Sequence, residues 1–196
     1  MTHTPSGHTG LDLDDHLIVM PWVAHTDGGF DPRHPYVEEF WLGILGPSAV
    51  WLLRRFAAGF DSCPTGFELD RHLTAGAIGL VGEGRQSPIA RTILRLTQFG
   101  LARFEGPGLL VRRNLPLLTT RQVARLPAPL RVAHREWVGG SGLLRDRQRA
   151  DRVAKALLRE GEWPQDVVRA LTGLGLATSA ASAAVARAHR QLLAQA

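Results

Sequence analysis

Apolar residues recur at helical spacing through most of this chain, and the breaks between the runs mark its elements. Residues 1–15 are polar, rich in Gly, Thr and Asp and aperiodic, so a disordered tail is expected there. A short apolar run, Leu17–Met20, reads either as a strand or as an extended arm laid across the body. Pro35 opens a helix with Glu38 and Glu39 in its first turn, where the helix dipole favours acids, and Gly46 ends it. Pro47 opens another, whose Val50, Trp51, Leu52, Leu53, Phe56, Ala57 and Phe60 cover much of its circumference and place it at the centre of the core.

Further along, Phe67–Leu69 is short and extended, and Asp70 caps a helix through Leu73, Ala77 and Ile78. A glycine-rich turn then leads to Ser87-Pro88, an N-cap followed by a proline whose fixed φ suits the first helical position. From there Ile89, Ile93, Leu96 and Phe99 form a stripe that must be packed, and Gly100 stops the helix. Leu101–Glu105 and Leu109–Arg112 flank Gly106-Pro107-Gly108, two short strands around a turn. Helix, extended piece, helix, turn, helix, β-hairpin is the order of a winged helix-turn-helix. The expected fold class is therefore mainly α with a small β-hairpin.

Beyond the hairpin, Thr119 and Gln122 have capping-box spacing for a short helix that Pro127 ends, and Pro129 starts another that runs through Trp137. "GGSG" at 139–142 reads as a linker. Three helices follow at about 143–160, 164–174 and 179–194, rich in Ala and Leu. The expected organisation is a tail (1–15), a winged-helix domain with its N-terminal arm (16–138), a linker (139–142) and a three-helix module (143–196). The module's core is thin, so docking, self-association or a protein partner is expected through residues 143–196.

Charge sharpens this outline. The net +5 of the 196 residues divides into −7 over residues 1–84, +8 over 85–136 and +4 over 137–196. Lys155 is the only lysine, so the basic middle is all arginine and almost free of acids. Such a cluster is the electrostatic footprint expected for a polyanion. No apolar run reaches the ~18 residues of a membrane span, and the N-terminus lacks the form of a signal peptide, so a cytoplasmic chain with no membrane partner is expected. Cys63, the only cysteine, excludes an internal disulfide and a cysteine-based zinc cluster.

The segment 35–138 resembles a winged-helix DNA-binding domain. More narrowly, "PYVEEFWLGILGPSAVWLLRRF" and "SPIARTILRLTQFGLA" resemble a set of actinobacterial winged-helix proteins, a likeness that brings no activity with it. The winged-helix resemblance implies that the third helix enters the major groove of double-stranded DNA while the hairpin touches the backbone. Carried onto this chain, it implicates Arg85, Gln86, Ser87, Arg91, Thr92 and Arg95 on the helix, with Arg103, Arg112 and Arg113 on the wing. One departure stands out: the turn at 79–86 is longer than the usual three or four residues, which changes the angle between the two helices. The residue types suit the task, since Arg pairs bidentately with guanine and Gln with adenine. Arg103, Arg112, Arg113 and Arg121 would add sequence-blind phosphate contacts.

The expected function is thus a transcriptional regulator or nucleoid-type DNA binder, without enzymatic activity, cofactor or metal. The alternative is a winged-helix adaptor for a protein or ribonucleoprotein, which predicts a basic face blocked by the chain's own acids. Enzymatic readings fit less well. "GLVGEG" at 79–84 has phosphate-loop spacing, but Arg85 and Gln86 stand where Lys and Ser/Thr are required. His25, Asp27, Asp31 and His34 lie close enough in sequence to suggest a metal, yet such residues more often cap turns. The Leu157–Val185 pattern is similar to small three-helix ubiquitin-associated-type folds, and no ligand follows from that spacing.

Overall fold

The computed structural model describes residues 16–22, 29–80 and 87–194. The tail 1–15, and with it the expectation of disorder, lies outside the described residues, as does most of the glycine-rich turn, 81–86.

The fold is mainly helical with one small sheet. Its strands are β1 (His16–Pro21), β2 (Phe67–Asp70), β3 (Ala102–Glu105) and β4 (Gly108–Val111). A π-helical turn, Val37–Trp41, runs into α1 (Leu42–Leu45), and α2 (Pro47–Ser62) follows at once. Next come α3 (Arg71–Ala77) and α4 (Pro88–Gln98). Asp70 Oδ1 accepts the Leu73 N–H at 2.8 Å and Ser87 Oγ the Ala90 N–H at 3.3 Å, so both expected N-caps are formed. α2 buries Val50, Leu52, Leu53, Phe56 and Phe60, the central helix its pattern demanded, but Trp51 is 55% exposed, with the Arg54 guanidinium 5.2 Å from its ring centre.

The run at Leu17–Met20 is a strand, and an interior one. The sheet order is β2-β1-β4-β3, so the expected hairpin β3–β4 is present but forms only half of a four-stranded sheet. β1 pairs antiparallel with β2 and parallel with β4, Val19 lying opposite both Phe67 and Leu109. The physical reason is alternation: Leu17 and Val19 point into the core while His16 and Ile18 face outward. A strand with one apolar face is stabilised by a sheet on either side of it.

After the sheet come α5 (Thr120–Val123), closed by a reciprocal Thr119–Gln122 capping box, and α6 (Ala128–Glu136). The Gly-rich run read as a linker forms a helical joint. A π-helical turn, Trp137–Ser141, kinks at Gly140 (φ 106°) and continues into α7 (Gly142–Arg159). Trp137 lies on Gly142 so closely that a Cβ there would stand 2.3 Å from indole atoms. Packing, which composition does not reveal, orders this joint.

α7, α8 (Pro164–Gly173) and α9 (Thr178–Leu193) close a second, smaller core of Ala150, Ala154, Val167, Leu171, Ala184 and Val185. Asp151 of α7 receives Arg187 of α9, Nη2 to Oδ1 at 2.7 Å. This unit docks on the main body. His34 Nε2 lies 3.1 Å from Asp146 Oδ2 of α7, and Gly175, at φ +91°, sits against the Arg33–His34 backbone. No helix among the described residues is long and apolar enough to cross a membrane.

Candidate nucleic-acid interface

α4 is held by its apolar stripe: Ile89, Ala90, Ile93 and Leu96 are fully buried against α2 and β3. Its opposite side carries Arg91, Arg95 and Gln98, all exposed and spaced to share one face. The Arg91 guanidinium makes no hydrogen bond or ion pair among the described residues. Arg95 is anchored, one Nη2–H donating to the Ile44 carbonyl at 2.8 Å and the guanidinium lying 5.7 Å over Phe99. A guanidinium has five N–H donors, so this anchor fixes Arg95 while leaving donors to spare. Two grooves flank the face. One runs along the Gly46-Pro47-Ser48 turn, the other along α5, where Arg121 and Arg125 join Arg95 and Gln98. Neither groove has a carboxylate among its described lining residues.

The other sequence-predicted residues divide three ways. Arg85 and Gln86 lie outside the described residues. Ser87 and Thr92 are buried, at 4% and 8% exposure, and their hydroxyls are engaged inside α4. Ser87 caps the helix, and Thr92 Oγ1 donates to the Pro88 carbonyl at 2.8 Å. None of the three hairpin arginines lines either groove beside the α4 face. Arg103 pairs with Glu105 at 2.6 Å and stacks 4.9 Å from the Trp22 ring centre. Arg112 stands 5.4 Å from the same ring while its Nε donates to the Gly100 carbonyl at 2.7 Å. Burial lowers the pKa of Arg112. Arg113 lies over Phe60 and lines a different cavity of about 370 Å³, between the main body and the α8–α9 loop. There Arg33 clamps Asp31 through two hydrogen bonds and reaches Asp61 with Nη1, and the bond to Asp31 is the largest cause of its raised pKa.

Behind the joint lies a buried aromatic cluster. The Tyr36 hydroxyl accepts the Leu118 N–H at 2.9 Å and lies 2.8 Å from His134 Nε2. Desolvation pushes the Tyr36 phenol up to about 12, although the Leu118 N–H pulls the other way, and desolvation lowers the His134 pKa. Both groups are therefore held neutral, and a neutral imidazole can accept the phenol's hydrogen. Of the residues weighed as metal ligands, His25 and Asp27 lie outside the described residues. Asp31 is taken by Arg33, and His34 Nδ1 accepts the Tyr36 N–H at 3.1 Å.

Composition and spacing single out Arg121 beside the wing arginines but not Arg125, which the fold brings to the same groove. The capping box marks the turn that carries Arg121, and Arg125 follows two residues past its end, so the pair is local in sequence. Comparison with models of known protein families, with curated proteins and with solved structures gives no match to this chain.

Proposed function

We propose that this chain is a non-catalytic, winged-helix-type protein that binds double-stranded DNA by placing the exposed face of α4 in the major groove. One observation carries the reading: Arg91 and Arg95 stand on a packed helix with no carboxylate of the described chain against them. The element order α2–β2–α3–α4–β3–β4 supports it, with α4 in the place of the reading helix. At 11 residues α4 is about 16 Å long, enough to cross a groove about 12 Å wide. The adaptor reading, by contrast, requires the chain's own acids to block this face.

Base discrimination falls to Arg91, Arg95 and Gln98, since Ser87 and Thr92 present no free hydroxyl to a ligand. The test is capture of sheared genomic DNA by the purified full chain at two salt concentrations, followed by sequencing, with Arg91→Ala in parallel. Wild-type protein should enrich a common sequence that Arg91→Ala enriches weakly or not at all. Capture of no DNA at the lower salt, or identical fragments from both proteins, contradicts the reading.

A further inference from the structure

We infer that the phosphate grip beside α4 is supplied by Arg121 and Arg125 of the α5 turn and not by the hairpin. The inference rests on the DNA-binding reading above and assigns the residues that carry its charge.

Geometry gives the first reason. A helix with its side chains is about 10–12 Å across and nearly fills a major groove about 12 Å wide. The phosphate ridges must then run immediately beside α4, over whatever flanks it. On one side that is the groove shared with α5, where Arg95 and Gln98 face Arg121 and Arg125.

The second reason is availability. Arg121 and Arg125 are exposed, and their guanidinium groups make no hydrogen bond or ion pair among the described residues. Arg103 and Arg112 are engaged on Trp22, Glu105 and the Gly100 carbonyl, so a phosphate would have to displace those partners. Lost internal partners subtract from any gain on binding.

The third reason is rigidity. Thr119 and Gln122 cap the turn reciprocally, at 2.8 Å from the Thr119 N–H to Gln122 Oε1 and 3.3 Å from the Gln122 N–H to Thr119 Oγ1. Leu118 before it and Leu126 after it are buried in the main core, and the Leu118 N–H is held by Tyr36. Two flexible side chains thus project from a fixed platform.

The experiment is a titration of a labelled 20-base-pair duplex of mixed sequence with the full chain across a salt series, read by fluorescence anisotropy. Each phosphate contact contributes about 0.9 to the slope of log K against log salt. Arg121→Gln/Arg125→Gln should lower the slope by about 1.8 and the affinity by about 30-fold near 0.15 M salt. Arg103→Gln should leave the slope unchanged. Arg121→Lys/Arg125→Lys should restore most of the loss, because a phosphate grip needs charge more than shape. An unchanged slope in the glutamine double variant, or an equal fall in Arg103→Gln, overturns the inference while leaving wild-type binding intact. Absence of salt-dependent duplex binding by the wild type, or tighter binding to the single strand, overturns the DNA-binding reading itself and this inference with it.

Discussion

The residues of the α4 segment do two separable jobs, and substitutions should separate them. Ser87 caps α4, so Ser87→Ala should cost about 1 kcal/mol of stability and leave base preference unaltered; denaturant unfolding and the enriched DNA sequence measure the two effects. The Arg91 guanidinium makes no hydrogen bond or ion pair among the described residues, so Arg91→Ala should change preference and leave stability alone. Tyr36 is purely internal. Tyr36→Phe strands the buried Leu118 N–H and should cost about 1–3 kcal/mol in the same unfolding assay. The same cluster sets a pH window. The folded His134 pKa lies below its ordinary value of 6.5, so the unfolded chain binds more protons and this contribution to stability shrinks as pH falls below about 6.5. The folded Tyr36 pKa is raised from 10 to about 12, so its contribution is complete below pH 10 and fades above it. Urea midpoints at pH 5, 8 and 11 should therefore be highest at pH 8. A midpoint that rises steadily to pH 11 would contradict the assignment.

Local chemistry made most elements legible. The Ser87-Pro88 start of α4, the Asp70 cap, the Thr119–Gln122 box and the three C-terminal helices lie within a residue or two of where spacing placed them, because caps and periodicity are properties of neighbouring residues. What the sequence hid was long-range. Nothing near Leu17–Met20 specifies that Val19 will lie between Phe67 and Leu109, nor that Trp137 will close over Gly142 and turn a Gly-rich stretch into a helical joint. The site shows the same division. Which helix carries a free basic face followed from its pattern, but the engagement of Arg103 and Arg112 around Trp22 depends on a strand from the other end of the chain. One element-scale prediction follows at the seam. Gly175→Ala places a Cβ 2.6 Å from the His34 nitrogen at a φ that L residues avoid, and should loosen α8 and α9 by at least about 1 kcal/mol. Amide exchange in α8 and α9 should accelerate while that in α4 stays as in the wild type; equal acceleration in both would mean that the seam does not separate two units.

At the scale of the whole molecule, acids and arginines are sorted by position as well as by sequence. Asp31, Asp61 and Asp146 are occupied near the seam by Arg33 and His34, and Glu105 takes Arg103 on the hairpin. The face of α4 and the neighbouring turn of α5 are left with Arg91, Arg95, Arg121 and Arg125 and no described carboxylate in their grooves. A surface so arranged should attract duplex DNA through phosphate neutralisation first and read bases second. The most direct test is the affinity of the wild-type full chain for a mixed-sequence duplex at 50 and 200 mM salt. The two phosphate-gripping arginines, Arg121 and Arg125, predict a fall of at least about 10-fold between the two. Equal affinities, or no binding at 50 mM, would contradict the account.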